Sequence, residues 1–173
     1  MTLVERARAL ATARHEGQRY GGRPYTFHLQ QVADEVQKIE TGAFRHFATP
    51  DEMTAAAWLH DVLEDTKTTY DEVVAETNAT VATLVRAVTD EAGATRKERK
   101  LATYPKLRAV GPAAVALKLA DRTANVRCAR ADRRDGLLAK YRDEHAAFAS
   151  ALHIAGEGLD ETWRELEALL APS

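Results

Sequence analysis

Cysteine is almost absent from this chain. Cys128 is the only one in 173 residues. No disulfide can form within the chain, which fits a reducing compartment, the cytoplasm. Long apolar runs are also lacking. No stretch approaches the ~18 apolar residues that a spanning helix needs, and the opening residues Met1 to Arg8 carry no apolar signal segment. No membrane association is expected. Nor does charge of one sign dominate: 24 Lys and Arg stand against 26 Asp and Glu, a net charge of −2. That argues against a general binder of nucleic acid or of membrane surfaces. No repeat, low-complexity tract or linker interrupts the chain, and no segment shows strand-like alternation.

The composition that remains, 45% hydrophobic and 29% charged, is that of a globular protein. Its length suits one domain with a proper core, residues 1–173. Helical periodicity runs through most of it. A first helix is expected over 3–20, ended by Gly21, Gly22 and Pro24, and a second from about His28 to Ile39. TPDE (49–52), TYDE (69–72) and TRKE (95–98) each read as a capping box, and Asn78 as a further helix cap. Gly111-Pro112 breaks the chain before a long Ala-rich helix, about 113–130. Two more helices follow, about 139–155 and 159–170. The expected fold is all-α, a helical bundle of roughly seven to nine helices. Whether 156–173 completes the core or forms a partner surface is left open, as is homo-oligomerisation.

One stretch asks for a chemical explanation. WLHDVLEDT (58–66) places His60, Asp61, Glu64 and Asp65 close together at or near the middle of an otherwise apolar helix. Asp61 has Glu64 and Asp65 as same-face neighbours, and each like-charge pair costs roughly 0.2–0.5 kcal/mol. A divalent cation would offset that repulsion. Further ligands would have to come from elsewhere. His28 follows GGRPY, and Asp121 is a lone acid closing the apolar run VALKLA. Two imidazoles and two carboxylates suit Mn²⁺, Fe²⁺ or Zn²⁺ better than Mg²⁺. On the residues alone, Asp121 could instead pair with Lys118 or Arg122, and His28 could be a helix cap. Lys118, Arg122 and Arg127 could form a rim that attracts a polyanion, or a solvated helix face.

The pieces HEGQR (15–19), RPYTFH (23–28), LHDVLEDT (59–66), LVRAVT (84–89) and KLADRTANVR (118–127) stand in the order of a known family. The chain resembles the HD-domain metal-dependent phosphohydrolases, and within them the RelA/SpoT-type hydrolase domain and its stand-alone form, the small alarmone hydrolases. The likeness covers about residues 5–155. It implies that His28, His60, Asp61 and Asp121 hold a divalent metal, most often Mn²⁺, and that Glu64 and Asp65 position and activate water. It implies nucleotide contacts for Arg19, Asn125 and Tyr141, with Lys118 beside them, and no ligand role for His15. The implied reaction is removal of the 3′-pyrophosphate of (p)ppGpp; another nucleotide, such as NADPH or a nucleoside phosphate, is the alternative. A nucleotide sensor that keeps a structural metal is a third reading, and it would have no need of Glu64 and Asp65. The chain departs from the family pattern at Leu29, where Pro is common, at Tyr20, where a Lys is expected, and at Cys128, where a Thr often lines the pocket.

Overall fold

A computed structural model describes residues 1–172. In chain order these form α1 (Leu3–Arg14), a hairpin of β1 (Arg19–Tyr20) and β2 (Arg23–Pro24), α2 (Thr26–Lys38), α3 (Pro50–Leu59) and a single turn α4 (Val62–Asp65). α5 (Tyr70–Glu76), α6 (Ala79–Val88), α7 (Arg96–Val110), α8 (Pro112–Ala131), α9 (Asp135–Leu152) and α10 (Asp160–Leu170) follow. No helix among the described residues is long and apolar enough to cross a membrane.

The helix starts follow from local chemistry. Thr49, Thr69 and Thr95 each accept from the backbone N–H three residues on, and the Glu at that position reaches back to the cap. Asn78 caps α6 the same way, accepting from Val81, while its amide donates to Glu52 of α3. Gly111, at φ +101°, stands between α7 and α8 in a conformation open mainly to glycine.

Two helices are buried nearly all round, and their sequences say why. In α3, Ala55, Ala56, Ala57 and Leu59 have no exposed surface. A helix apolar on every side must be enclosed, and α3 packs on α1, α2, α6 and α8. α8 is the hub, packed against α2, α3, α6, α7, α9 and α10. Its alanines at 113, 114, 116, 120, 124 and 129 are all buried and let neighbours approach closely from several directions. Trp163, Leu166 and Leu170 of α10 belong to the same core, with Trp163 against Phe148 at a centroid distance of 5.2 Å.

Two expectations are corrected. The first helix ends at Arg14, not at residue 20. Gly17 takes φ +78°, and Gly21 (φ +55°) and Gly22 (φ +86°) supply the two left-handed residues that a tight hairpin turn needs. The His60-Asp61 doublet does not lie within a continuous helix. α3 stops at Leu59, and Asp61 adopts φ −99°, ψ −3° before α4 begins. In an unbroken helix the Ala57 carbonyl would accept from the N–H of residue 61; the His60 ring engages that carbonyl instead, Nδ1 to O 2.8 Å.

Replacing Trp163 with alanine is expected to cost about 3–5 kcal/mol, the range for a buried large aromatic. The urea midpoint measures it, and a loss below about 1 kcal/mol would place α10 outside the core.

Candidate active site

Three parts of the fold bring the imidazoles and carboxylates together. His28 comes from the first turns of α2, His60 and Asp61 from the break after α3, and Asp121 from the middle of α8. His60 Nε2 lies 2.9 Å from Asp61 Oδ2 and 3.6 Å from Asp121 Oδ1. His28 Nε2 lies 3.4 Å from Asp121 Oδ1 and 3.7 Å from Asp61 Oδ2. The ligand atoms of His28, His60 and Asp121 all fall within 4.8 Å of one another. Both rings are 2% exposed.

The hydrogen bonding tests whether a cation fits. A carbonyl only accepts, so the bond to Ala57 puts the proton of His60 on Nδ1. Nε2 then turns toward two carboxylates. A neutral ring would set its lone pair against theirs, so the arrangement requires positive charge at this point. Burial alone would lower the basicity of His60, yet the charges of Asp61 and Asp121 outweigh it and hold the ring up at about 9. Burial would likewise raise Asp61 and Asp121. The His60 imidazole for Asp61, and Lys118 with the histidines for Asp121, keep both below the usual carboxylate range. A divalent ion would satisfy both Nε2 atoms and both carboxylates at once, and the donor set suits one.

The acidic pair is placed differently on its two sides. The Tyr25 hydroxyl donates to Asp61 Oδ2 at 2.7 Å and lies 3.0 Å from Asp65 Oδ2. Burial, reinforced by Asp61, pushes that phenol up, so it stays a donor. Burial and the Asp61 charge also raise the Asp65 carboxyl. Glu64 accepts from the N–H of Asp90 at 3.0 Å. His15 is buried behind them, stacked on Tyr25 at 4.7 Å and bonded to Gln18, whose amide donates to the Asp65 carbonyl. The early histidine is therefore a buttress.

A cleft of about 760 Å³, counting the solvent at its mouth, opens beside this cluster. Cations line it as well: Arg96 and Lys100 from α7, Lys118 and Arg122 from α8. All four of these charges have partners within the chain. Arg96 and Arg122 both reach Glu144, at 2.7 and 3.2 Å. Lys118 bonds the Val88 carbonyl and stands 3.4 Å from Asp121 Oδ2. Lys100 pairs with Asp90 at 2.8 Å. Tyr141 lines the cleft, its phenol pushed up to about 12 by burial and the nearby Asp121 charge.

Of the residues singled out in the sequence, Tyr20, His28, Asp61, Glu64, Asp65, Lys118, Asp121, Arg122, Asn125 and Tyr141 line this cleft, with His60 beside Asp61. Arg19 is not brought to it. Side chains alternate along a strand, and it is Tyr20 that turns inward while Arg19 is exposed. Arg127 pairs with Glu35 and Glu165 and does not line the cleft. His28 does not cap α2, whose cap position is Tyr25. Tyr25, Arg96, Lys100, Tyr104 and Phe148 were missed as cleft residues. Tyr25 alone carried a signal, standing one helical turn before His28.

Residues 7–155 match the HD domain family. The chain is 32% identical over 158 residues to the guanosine-3′,5′-bis(diphosphate) 3′-pyrophosphohydrolase of Aquifex aeolicus, an alignment covering 87% of this chain. The chain spans only 22% of that relative's length. It is 32% identical to the protein of the same activity from Danio rerio, covering 81% of this chain and 76% of that one. With the human counterpart it shares 36% identity over 66% of this chain and 63% of the other. A solved structure described as a metazoan ortholog of SpoT that hydrolyzes ppGpp superposes with a TM-score of 0.68 at 24% identity, covering 95% of this chain and 96% of that one. That likeness speaks to the fold.

Mn²⁺ at about 100 times its dissociation constant is expected to stabilise the chain by about 2.7 kcal/mol, a melting shift of roughly 5–10 °C for a domain of this size. Thermal unfolding with and without Mn²⁺ measures it. His28→Ala should abolish the shift, and an equal shift in that variant would move the ion elsewhere.

Proposed function

The chain belongs to the HD domain family, and on that footing we propose that it is a metal-dependent hydrolase of (p)ppGpp that releases the 3′-pyrophosphate, leaving GDP from ppGpp. One observation carries the reading: a His28–His60–Asp61–Asp121 cluster, an adjacent acidic pair and a set of cations face the same cleft. The names of the Aquifex, zebrafish and human relatives support the substrate. The nitrogen-and-oxygen donor set supports Mn²⁺ as the resident ion, and the single cysteine supports the cytoplasm as the compartment.

His28, His60, Asp61 and Asp121 would hold the ion. When bound, such an ion acidifies water and neutralises charge on the phosphoryl group. The chain's own residues do the rest. Asp65, whose carboxyl is raised by burial and by Asp61, is placed to take the proton of the attacking water. Glu64, held by the Asp90 N–H, orients that water from the other side. Tyr25 keeps Asp61 and Asp65 in register through one hydroxyl. Arg96 and Lys100 face the cleft from α7 and offer charge-assisted hydrogen bonds to phosphate oxygens. Water attacks the phosphorus joined to the ribose 3′-oxygen, that P–O bond breaks, and the oxygen takes up the proton that Asp65 received, leaving as the 3′-hydroxyl of GDP with pyrophosphate released.

A second reading keeps the site and changes the nucleotide, to the 2′-phosphate of NADPH or a nucleoside phosphate. Tyr20 favours it, because a neutral ring lines the cleft where a lysine is expected.

Chromatography of Mn²⁺-loaded protein with ppGpp is expected to give GDP and pyrophosphate. Asp65→Asn should lose about 10²–10⁴ in kcat while still binding Mn²⁺. An intact ppGpp pool alongside phosphate released from NADPH would favour the second reading.

A further inference from the structure

We propose that Tyr20 is a positioning residue for the metal centre: it ties the ligand on α2 to the ligand on α8 through its ring on one side and Asn125 on the other. The proposal rests on the metal-centre reading above.

The ring of Tyr20 stacks on His28, centroids 4.6 Å apart and planes 10° from parallel. Its hydroxyl lies 2.7 Å from Asn125 Oδ1. Asn125 Nδ2 in turn donates to the Asp121 carboxylate at 2.6 Å and to the Asp121 carbonyl at 3.0 Å. The direction of this chain is forced. The carboxylate and carbonyl of Asp121 can only accept, so the amide NH₂ must face them. Asn125 Oδ1 therefore faces Tyr20, and the phenol must donate. The bonded carboxylate atom is Oδ1, the atom that also approaches both histidines. Tyr20 thus limits rotation of the His28 ring and, through Asn125, of the Asp121 carboxylate. Hydrogen bonds of this kind to ligating groups orient them, and their loss typically weakens metal binding 10- to 100-fold.

The hairpin that carries Tyr20 is itself fixed to both helices. Arg23 forms two hydrogen bonds to Asp132 of the α8 C-cap, at 2.7 and 2.8 Å. Its guanidinium lies 4.6 Å from the Phe27 ring of α2. The hairpin is a strap across α2 and α8, with Tyr20 as its inner contact. The arrangement changes the role of Asn125. Its oxygen is taken by Tyr20 and its amide by Asp121, so in this chain it serves the metal ligand.

The experiment is a Mn²⁺ titration without nucleotide, following free Mn²⁺ by electron paramagnetic resonance. The parent, Tyr20→Phe, Asn125→Ala and the double variant are compared. Tyr20→Phe keeps the stacked ring and removes only the hydroxyl. Each single variant is expected to weaken Mn²⁺ binding about tenfold, with metal-free melting close to the parent's. Because the two act through one chain, the double variant should be no weaker than the worse single one. Parent-like affinity in Tyr20→Phe overturns the proposal alone, and so does a double variant about a hundredfold weaker, which would mean independent effects. A parent that binds no Mn²⁺ overturns the metal centre and this proposal together.

Discussion

Two buried imidazoles face two half-buried carboxylates with little room between them, and that charge arrangement governs the rest of the molecule. Once Nδ1 of His60 is committed to the Ala57 carbonyl, Nε2 has only carboxylate oxygens before it. Such a group is costly to bury unless positive charge completes it. The surroundings meet that need in graded fashion. Lys118 balances Asp121 from behind, Tyr25 donates to Asp61, and Asn125 donates to Asp121. Tyr25 and Asn125 bond the same oxygens, Asp61 Oδ2 and Asp121 Oδ1, that face the imidazoles.

The scaffold exists to hold those atoms still. α3 is apolar on every side, so its end cannot shift without exposing buried surface. The helix breaks after Leu59, where the His60 ring takes the Ala57 carbonyl, and the break leads into the turn that carries Glu64 and Asp65. α8 contributes the opposing carboxylate, Asp121, from a helix packed by small side chains on several faces. The same compactness brings the cationic residues of α7 to the cleft.

Much of this was legible in the sequence, for identifiable reasons. Capping boxes at 49–52, 69–72 and 95–98 are local hydrogen-bond patterns, and local patterns can be read from consecutive residues. The cluster was legible because like charges crowded on an apolar helix, and a lone acid in an apolar run, need a compensating partner. What could not be read depends on contacts distant in the chain. The first helix looked continuous to residue 20 because the hairpin is only two residues per strand, too short for alternation to show. Arg19 looked like a nucleotide contact, but the pairing across Gly21-Gly22 sends its neighbour Tyr20 inward instead. Arg96 and Lys100 lie in RKERK, where only the capping box at 95–98 was legible, and the packing of α7 on α8 and α9 turns these two cations to the cleft. Tyr20 stood out as a departure from the family pattern, but its bond to Asn125 spans 105 residues of chain.

The central claim is that His28 and His60 ligate one divalent ion together with Asp61 and Asp121. The most direct measurement is electron spin-echo modulation of Mn²⁺ bound to protein carrying ¹⁵N-histidine. The account predicts coupling to two imidazole nitrogens on a single Mn²⁺. An ion that shows coupling to water protons alone, with no imidazole nitrogen, would contradict it.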